Sequence, residues 1–307
     1  IRPTVTDVTD SSLGDGGRNG ETFTITGAGF GTACASISVQ VEGTALTCNS
    51  ANNTTISATI PSTQITTYGG AGASGLLATV GGTADDARQT YYVYPSVNLV
   101  GTPLVLNAAR EGENITLTNS AANASRFGAT QGTVTFSGGF GSVGATVVTW
   151  GDTSVEVIVP ATIGDNVYLG DITVTRNADS KTDLAYDSNG FRVLPKITST
   201  TPLNFKGGQG DTIAIVGDHL CQSGTCPSAF SAANKVDFTG GSVTSGASVW
   251  THTSIPSVVI PGTAADGSLN ITSDTSYTSN NLTYNIKFAP STPTGSSAGG
   301  SNNPTLS

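Results

Sequence analysis

The stretch Glu21–Gly31, ETFTITGAGFG, decides how this chain is read. Phe23 and Ile25 alternate with Thr22, Thr24 and Thr26, the period-2 pattern of a strand with one buried face. Gly27 and Gly29 follow, and two glycines so close at a strand end mark a turn or bulge. Phe30 then returns a large apolar group to the core. A G-x-G after a strand could suggest a phosphate-binding loop, but no helical pattern follows it.

Working outward, the same stretch recurs about every hundred residues. Opening strands begin at Glu21 (ETFTI), Glu113 (ENITL) and Asp211 (DTIAI). What repeats is the apolar alternation: Phe23 and Ile25, Ile115 and Leu117, Ile213 and Ile215. The counterparts of the glycine turn read NSAAN and GDHL and do not keep the glycines. Hydrophobic-Pro pairs fall at Ile60-Pro61, Val159-Pro160 and Ile260-Pro261, spaced 99 and 101 residues apart. Closing strands end near proline at Tyr91–Pro95, Phe191–Pro195 and Asn285–Pro290. Trp150 and Trp250 stand one period apart, and the same region of the first repeat carries Cys48.

Three landmarks in one order at one period predict three β-sandwich domains of ordinary size. The expected boundaries are residues 1–95, 96–195 and 196–290, followed by a Ser/Gly/Thr/Asn-rich tail over 291–307. The joints at Pro95 and Pro195 are short, so an elongated, semi-rigid rod is expected. The tail has the composition of a linker; if ordered, it would have to be held by a groove or sheet edge.

Composition agrees with an all-β reading. Only 11% of the 307 residues are charged, and Thr, Asn and 39 Gly suit strands and turns. The net charge is -9 with 12 Lys and Arg in total and no cationic cluster, which excludes nucleic acid and disfavours an anionic membrane surface. No apolar run approaches the ~20 residues of a membrane span. The chain starts at Ile1 and contains no Met, as expected of a mature product that has lost its leader or of an excised segment.

The cysteines fall in two local pairs, Cys34 with Cys48 and Cys221 with Cys226. An even count and local pairing favour two disulfides and an oxidising compartment. The first would staple the two ends of the ISVQV strand to neighbouring loops. The second would close the tight CQSGTC loop and order a local protrusion. Reduced structural thiols are the alternative. A metal site using His219, Cys221 and Cys226 lacks a fourth ligand at zinc-like spacing, so no metal is expected.

Taken together, these residues resemble a known module. GGRNGETFTITGAGFG, VQVEG, ATIP and LLATVGG in the first repeat are similar to the IPT/TIG domain, which is immunoglobulin-like. GGQGDTIAIVGDHL, KVDFTGG, VVIP and SLNITSD in the third show the same pattern. The second repeat is weaker: ENITLTN lacks the Gly-Gly entry, although VIVP and GDITVTRN fit. The resemblance implies roles found in bacterial surface proteins, cell-surface receptors, polysaccharide-active enzymes and some transcription factors; the acidic charge opposes the last. It supplies no catalytic residue.

The remaining residues suggest little chemistry. His219 and His252 lack a nucleophile and carboxylate partner, so no catalytic residue, cofactor or enzymatic activity is expected. The acidic groups Asp7 with Asp10, Asp85 with Asp86, and Asp183 with Asp187 near Asn189 read as solvated turns rather than a calcium loop. Sequons at Asn52, Asn53, Asn114, Asn123, Asn270 and Asn281 are candidate glycosylation sites. Trp150 and Trp250 read as core plugs. The expected function is a bacterial extracellular surface protein, a filament subunit or stalk that contacts its own copies through sheet edges or the tail. The alternatives are an adhesin that binds a surface glycan or protein, with SAANASRFGATQ and CQSGTC as contact loops, and an accessory region of a polysaccharide-active enzyme.

Overall fold

The computed structural model describes residues 2–9, 16–18, 20–61, 69–70, 74–85, 88–95, 97–99, 108–119, 127–164, 169–184, 190–202 and 206–287. Asn123, residues 120–126 of the SAANASRFGATQ loop, the 291–307 tail, Asp10, Asp86, Asp187 and Asn189 lie outside them. The chain divides into two compact units, Ile1–Leu194 and Pro195–Ser307. The first holds two hydrophobic clusters, one around Phe23, Ile25 and Ile56, the other around Ile115, Leu117 and Phe136. The second holds one, around Ile213, Ile215 and Trp250. The fold is all-β, with a short 3-10 turn at Cys34–Ser36 among the described residues.

The deciding stretch forms the strand Thr22–Ala28, with Phe23 and Ile25 buried and Thr22 and Thr24 exposed. It lies between Thr4–Thr9 and Thr55–Thr59, antiparallel to both. Asn114–Asn119 lies between Val97–Leu99 and Ser154–Ile158 in the same way. Thr212–Asp218 lies between Lys196–Thr201 and Ser254–Val259.

One turn precedes each of these strands. Gly20, Gly112 and Gly210 have φ of 83°, 80° and 84°, which L side chains rarely adopt. Their N–H groups donate to the carbonyls of Ile60, Val159 and Ile260 at 2.8, 2.9 and 2.9 Å. Those residues donate back to the carbonyls of Glu21, Glu113 and Asp211. The three acids also accept the backbone N–H three residues earlier, from Arg18, Arg110 and Gly208. The proline after each Ile or Val has no N–H, so the ladder stops there.

Two strands open each repeat, one in each sheet: the first pairs with the opening strand, and the second runs parallel to the closing strand. Gly16–Gly17 joins Tyr91–Val93, Ala108–Ala109 joins Phe191–Val193, and Lys206–Gly207 joins Leu282–Ile286. In the first repeat the long strand Thr44–Ala51 pairs with both Thr55–Thr59 and Ile37–Val41, so one sheet bends around the core.

The glycine turn is better kept than the sequence suggested. Gly27 and Gly217 occupy the same register, opposite Val5 and Ile197. A Cβ on Gly27 would meet the Thr4 carbonyl oxygen and the Phe30 ring at 2.5 Å. On Gly217 it would meet the Lys196 carbonyl oxygen and Leu220 Cδ2 at 2.9 Å. Phe30 and Leu220 fold back as the same plug, fully buried. Gly29 is the glycine that is replaced: His219 stands there with φ 52° and no exposure.

A second turn completes the repeat. Asn52, Gly151 and Thr251 donate N–H to the carbonyls of Thr55, Ser154 and Ser254. Trp150 and Trp250 immediately precede it, and Ala51 rather than Cys48 stands there in the first repeat. Trp250 is buried against Phe230. Trp150 packs half-buried beside Phe127 and donates Nε1–H to the Gly128 carbonyl at 2.8 Å. Both are packing residues.

Candidate functional site

The most elaborate polar arrangement joins the two sandwiches of the first unit. The hairpin between Leu169–Thr175 and Thr182–Leu184 carries Arg176, Asp179 and Lys181. Arg176 has no exposure. A guanidinium out of water must be paired and hydrogen-bonded to persist. Its Nε donates to Asp179 Oδ1 at 3.0 Å and its Nη2 to Asp179 Oδ2 at 2.5 Å, a two-pronged grip. Nη2 also donates to the Val93 carbonyl at 2.7 Å. Val93 lies in the closing strand of the first sandwich, 83 residues earlier.

The rest of the hairpin serves the same contact. Asp179 Oδ1 accepts the Lys181 N–H at 3.1 Å, so one carboxylate orders both the turn and the guanidinium. Lys181 Nζ sits 4.0 Å from the Tyr92 ring centroid and 5.2 Å from that of Tyr94. An ammonium over an aromatic face contributes about 0.5–1 kcal/mol at an exposed site. Two cations of the second sandwich thus close on the last strand of the first. Sequence reasoning passed over this site. The available signal was R-x-x-D directly after the alternating strand GDITVT, in a chain with few cations.

The cysteines are joined as Cys34–Cys48 and Cys221–Cys226, with Cα atoms 5.6 and 5.4 Å apart. Cys48 lies inside the strand Thr44–Ala51 rather than in a loop. The CQSGTC loop does not protrude at its start: Leu220, Cys221 and Gln222 are buried, and only Gly224 and Thr225 are exposed. Gln222 N–H donates to Ser273 Oγ, and its Nε2 to the His219 carbonyl. His252, not His219, approaches the cysteines. The two Sγ atoms and a ring nitrogen of His252 lie within 4.8 Å of one another. Among the described residues this is the one group of three His, Cys, Asp or Glu side chains close enough to share an ion.

Other residues singled out from the sequence take part in hydrogen bonds within the fold. Asp85 is buried and accepts the Val5 N–H at 2.9 Å. In the third repeat Asn280, not singled out from the sequence, accepts the Ile197 N–H. Asp7 accepts from the Thr9 hydroxyl. Asn52 Oδ1 accepts from Thr54 and Thr55 within its turn, and the Asn53 carbonyl accepts from Phe30. Asn114 donates its amide to Glu156 on the adjacent strand, and Asn270 donates to Asn281, just before the strand Leu282–Ile286. A shallow hollow of about 350 Å³ is lined by Ala35, Ser36, Ile37, Ser38, Thr79, Gly81 and Gly82, with no titratable side chain.

Strand plan, paired turns and the buried glycine together describe one immunoglobulin-like module. The IPT/TIG family model matches residues 3–94. Residues 3–94 are therefore similar to an IPT/TIG domain. The second and third repeats share its strand plan outside that match. No curated protein sequence matches the chain. Solved structures similar to it include the plexin A4 extracellular region, at 13% identity over 91% of this chain and 24% of that one, TM-score 0.26. A Bacteroides ovatus protein of a mixed-linkage glucan utilization locus, SGBP-B in complex with a heptasaccharide, has 13% identity over 94% and 69%, TM-score 0.24. Titin domains A168–A170 have 10% identity over 94% and 99%, TM-score 0.23. The chain spans 24% and 44% of the first two structures it matches. At these TM-scores none of the three bears on what this chain binds.

Proposed function

We propose that the chain is a non-enzymatic structural segment of a bacterial extracellular surface protein, a stalk built from tandem immunoglobulin-like modules. The observation that carries this reading is the buried Arg176, which spends its charge on joining two modules rather than on a ligand. A binding protein gains from an open cleft with convergent polar groups, whereas a spacer gains from a joint that resists bending. The two disulfides suit an oxidising compartment. No helix among the described residues is long and apolar enough to cross a membrane.

The filament form of the proposal needs a contact between copies. The edge strands Thr4–Thr9, Thr146–Trp150, Lys196–Thr201 and Ser254–Val259 each carry a register shift where they pair, and the last also contains Pro256. Bulges and edge prolines blunt pairing with another chain. Strand exchange is therefore expected at edges without such a shift, such as Gly141–Gly144 or Gly241–Val243, each paired to one neighbouring strand among the described residues. Sedimentation and electron microscopy of the purified chain at high concentration test this. Fibres would support the filament form; monomers alone would leave the stalk and remove the filament.

A further inference from the structure

We propose that Cys221, Cys226 and His252 form a redox-gated metal site: closed as the disulfide, and open to one thiophilic divalent cation such as zinc when the two sulfurs are reduced. The three ligand atoms already lie within 4.8 Å of one another. In a tetrahedral site with Zn–S near 2.3 Å and Zn–N near 2.0–2.1 Å, neighbouring ligand atoms stand roughly 3.4–3.8 Å apart. The His252 nitrogen therefore needs to close by no more than about 1.4 Å, and the sulfurs must separate, which side-chain rotation within a six-residue loop allows.

The backbone holds this geometry from both sides. Leu220 N–H donates to the His252 carbonyl at 2.8 Å, and Trp250 N–H donates to the Pro227 carbonyl at 2.9 Å. The segment before the first cysteine and the segment after the second are thus tied to the strip that carries the histidine. His252 Nδ1 lies 3.1 Å from the Cys221 carbonyl oxygen. A carbonyl can only accept, so Nδ1 carries the proton and Nε2 keeps its lone pair. Histidine ligands of metals are commonly oriented through such a bond. Cys221 is buried, while Cys226 and His252 are half-exposed, so solvent reaches the side where a fourth ligand, water, would complete the shell.

The chemistry balances with an external thiol reductant. Two thiols reduce the disulfide and leave as their own disulfide, giving two cysteine thiols. Binding of the divalent cation then displaces both thiol protons, and the site becomes two thiolates, one neutral imidazole and water. The Cys34–Cys48 pair provides an internal control. Among the described residues it has no third ligand within reach.

The test is titration of the reduced full-length chain with cobalt(II), read by thiolate-to-cobalt charge-transfer absorption, followed by zinc competition. Tryptophan fluorescence reports whether the domain around Trp250 stays folded. Expected are one cobalt per chain, two protons released on binding, and no signal from the oxidised chain. His252→Gln should weaken binding by at least about tenfold. The double variant Cys34→Ser, Cys48→Ser should bind as the parent does. Absence of a cobalt signal from the reduced chain, folded or not, overturns the proposal. So does binding unchanged by His252→Gln, or binding lost with the Cys34/Cys48 variant.

Discussion

Arg176 and Asp179 are unequal partners at the residue scale. Removing the acid strands a buried guanidinium, whereas removing the base leaves a carboxylate that retains some exposure. Asp179→Ala is therefore expected to cost about 3–5 kcal/mol, and Arg176→Met clearly less, because a hydrophobe of similar length fills the space without a charge. Denaturant unfolding of both variants checks the order. Gly27 gives a second contrast. Gly27→Ala pushes a methyl group into the Thr4 carbonyl and the Phe30 ring and should cost at least about 1–3 kcal/mol. Gly43→Ala meets nothing within 4 Å and carries only the cost of its φ of 82°, about 1 kcal/mol.

Tyr284 supplies a pH dependence. Burial, reinforced by the Asp211 carboxylate, pushes its phenol up from 10.0 to about 12. The folded state then holds the proton where the unfolded state releases it. The contribution is fully present below pH about 10 and is lost as pH rises toward 12. Melting temperatures of the parent should fall across that window, and Tyr284→Phe should flatten the fall. An identical decline in both proteins would show that other groups cause it.

At the scale of elements, the alternation at Phe23 and Ile25 was enough to place each opening strand, and the Ile/Val-Pro pairs were enough to place its partner. The hydrogen bonds explain why: those residues close the turn at Gly20, Gly112 and Gly210. The kept glycine, Gly217, is masked in the sequence because the residue two positions on is His219 where the first repeat has Gly29. The bulges were hidden because they depend on register, which appears only when strands meet. At two of them a threonine, Thr6 or Thr198, donates its hydroxyl to the Thr26 or Val216 carbonyl at 3.2 Å. The disulfides also act on this scale. A chain-entropy estimate gives about 3 kcal/mol for the loop closed by Cys34–Cys48 and about 2 kcal/mol for the shorter Cys221–Cys226 loop. Selective Cys-to-Ser pairs, followed by calorimetry, should show that order.

At the scale of the whole molecule, the joint between the first two modules was the part least visible in the sequence. A boundary reads as a proline and a change of repeat. What crosses it depends on a hairpin that returns 83 residues later to place Arg176 on Val93. The stalk reading stands on that contact being rigid. Spin labels at Thr83→Cys and Thr146→Cys report it, since both sites are exposed and the native cysteines are paired. Pulsed electron–electron resonance should give one narrow distance in the parent and a broad distribution in Arg176→Ala. A broad distribution in the parent, unchanged by the substitution, would contradict the account.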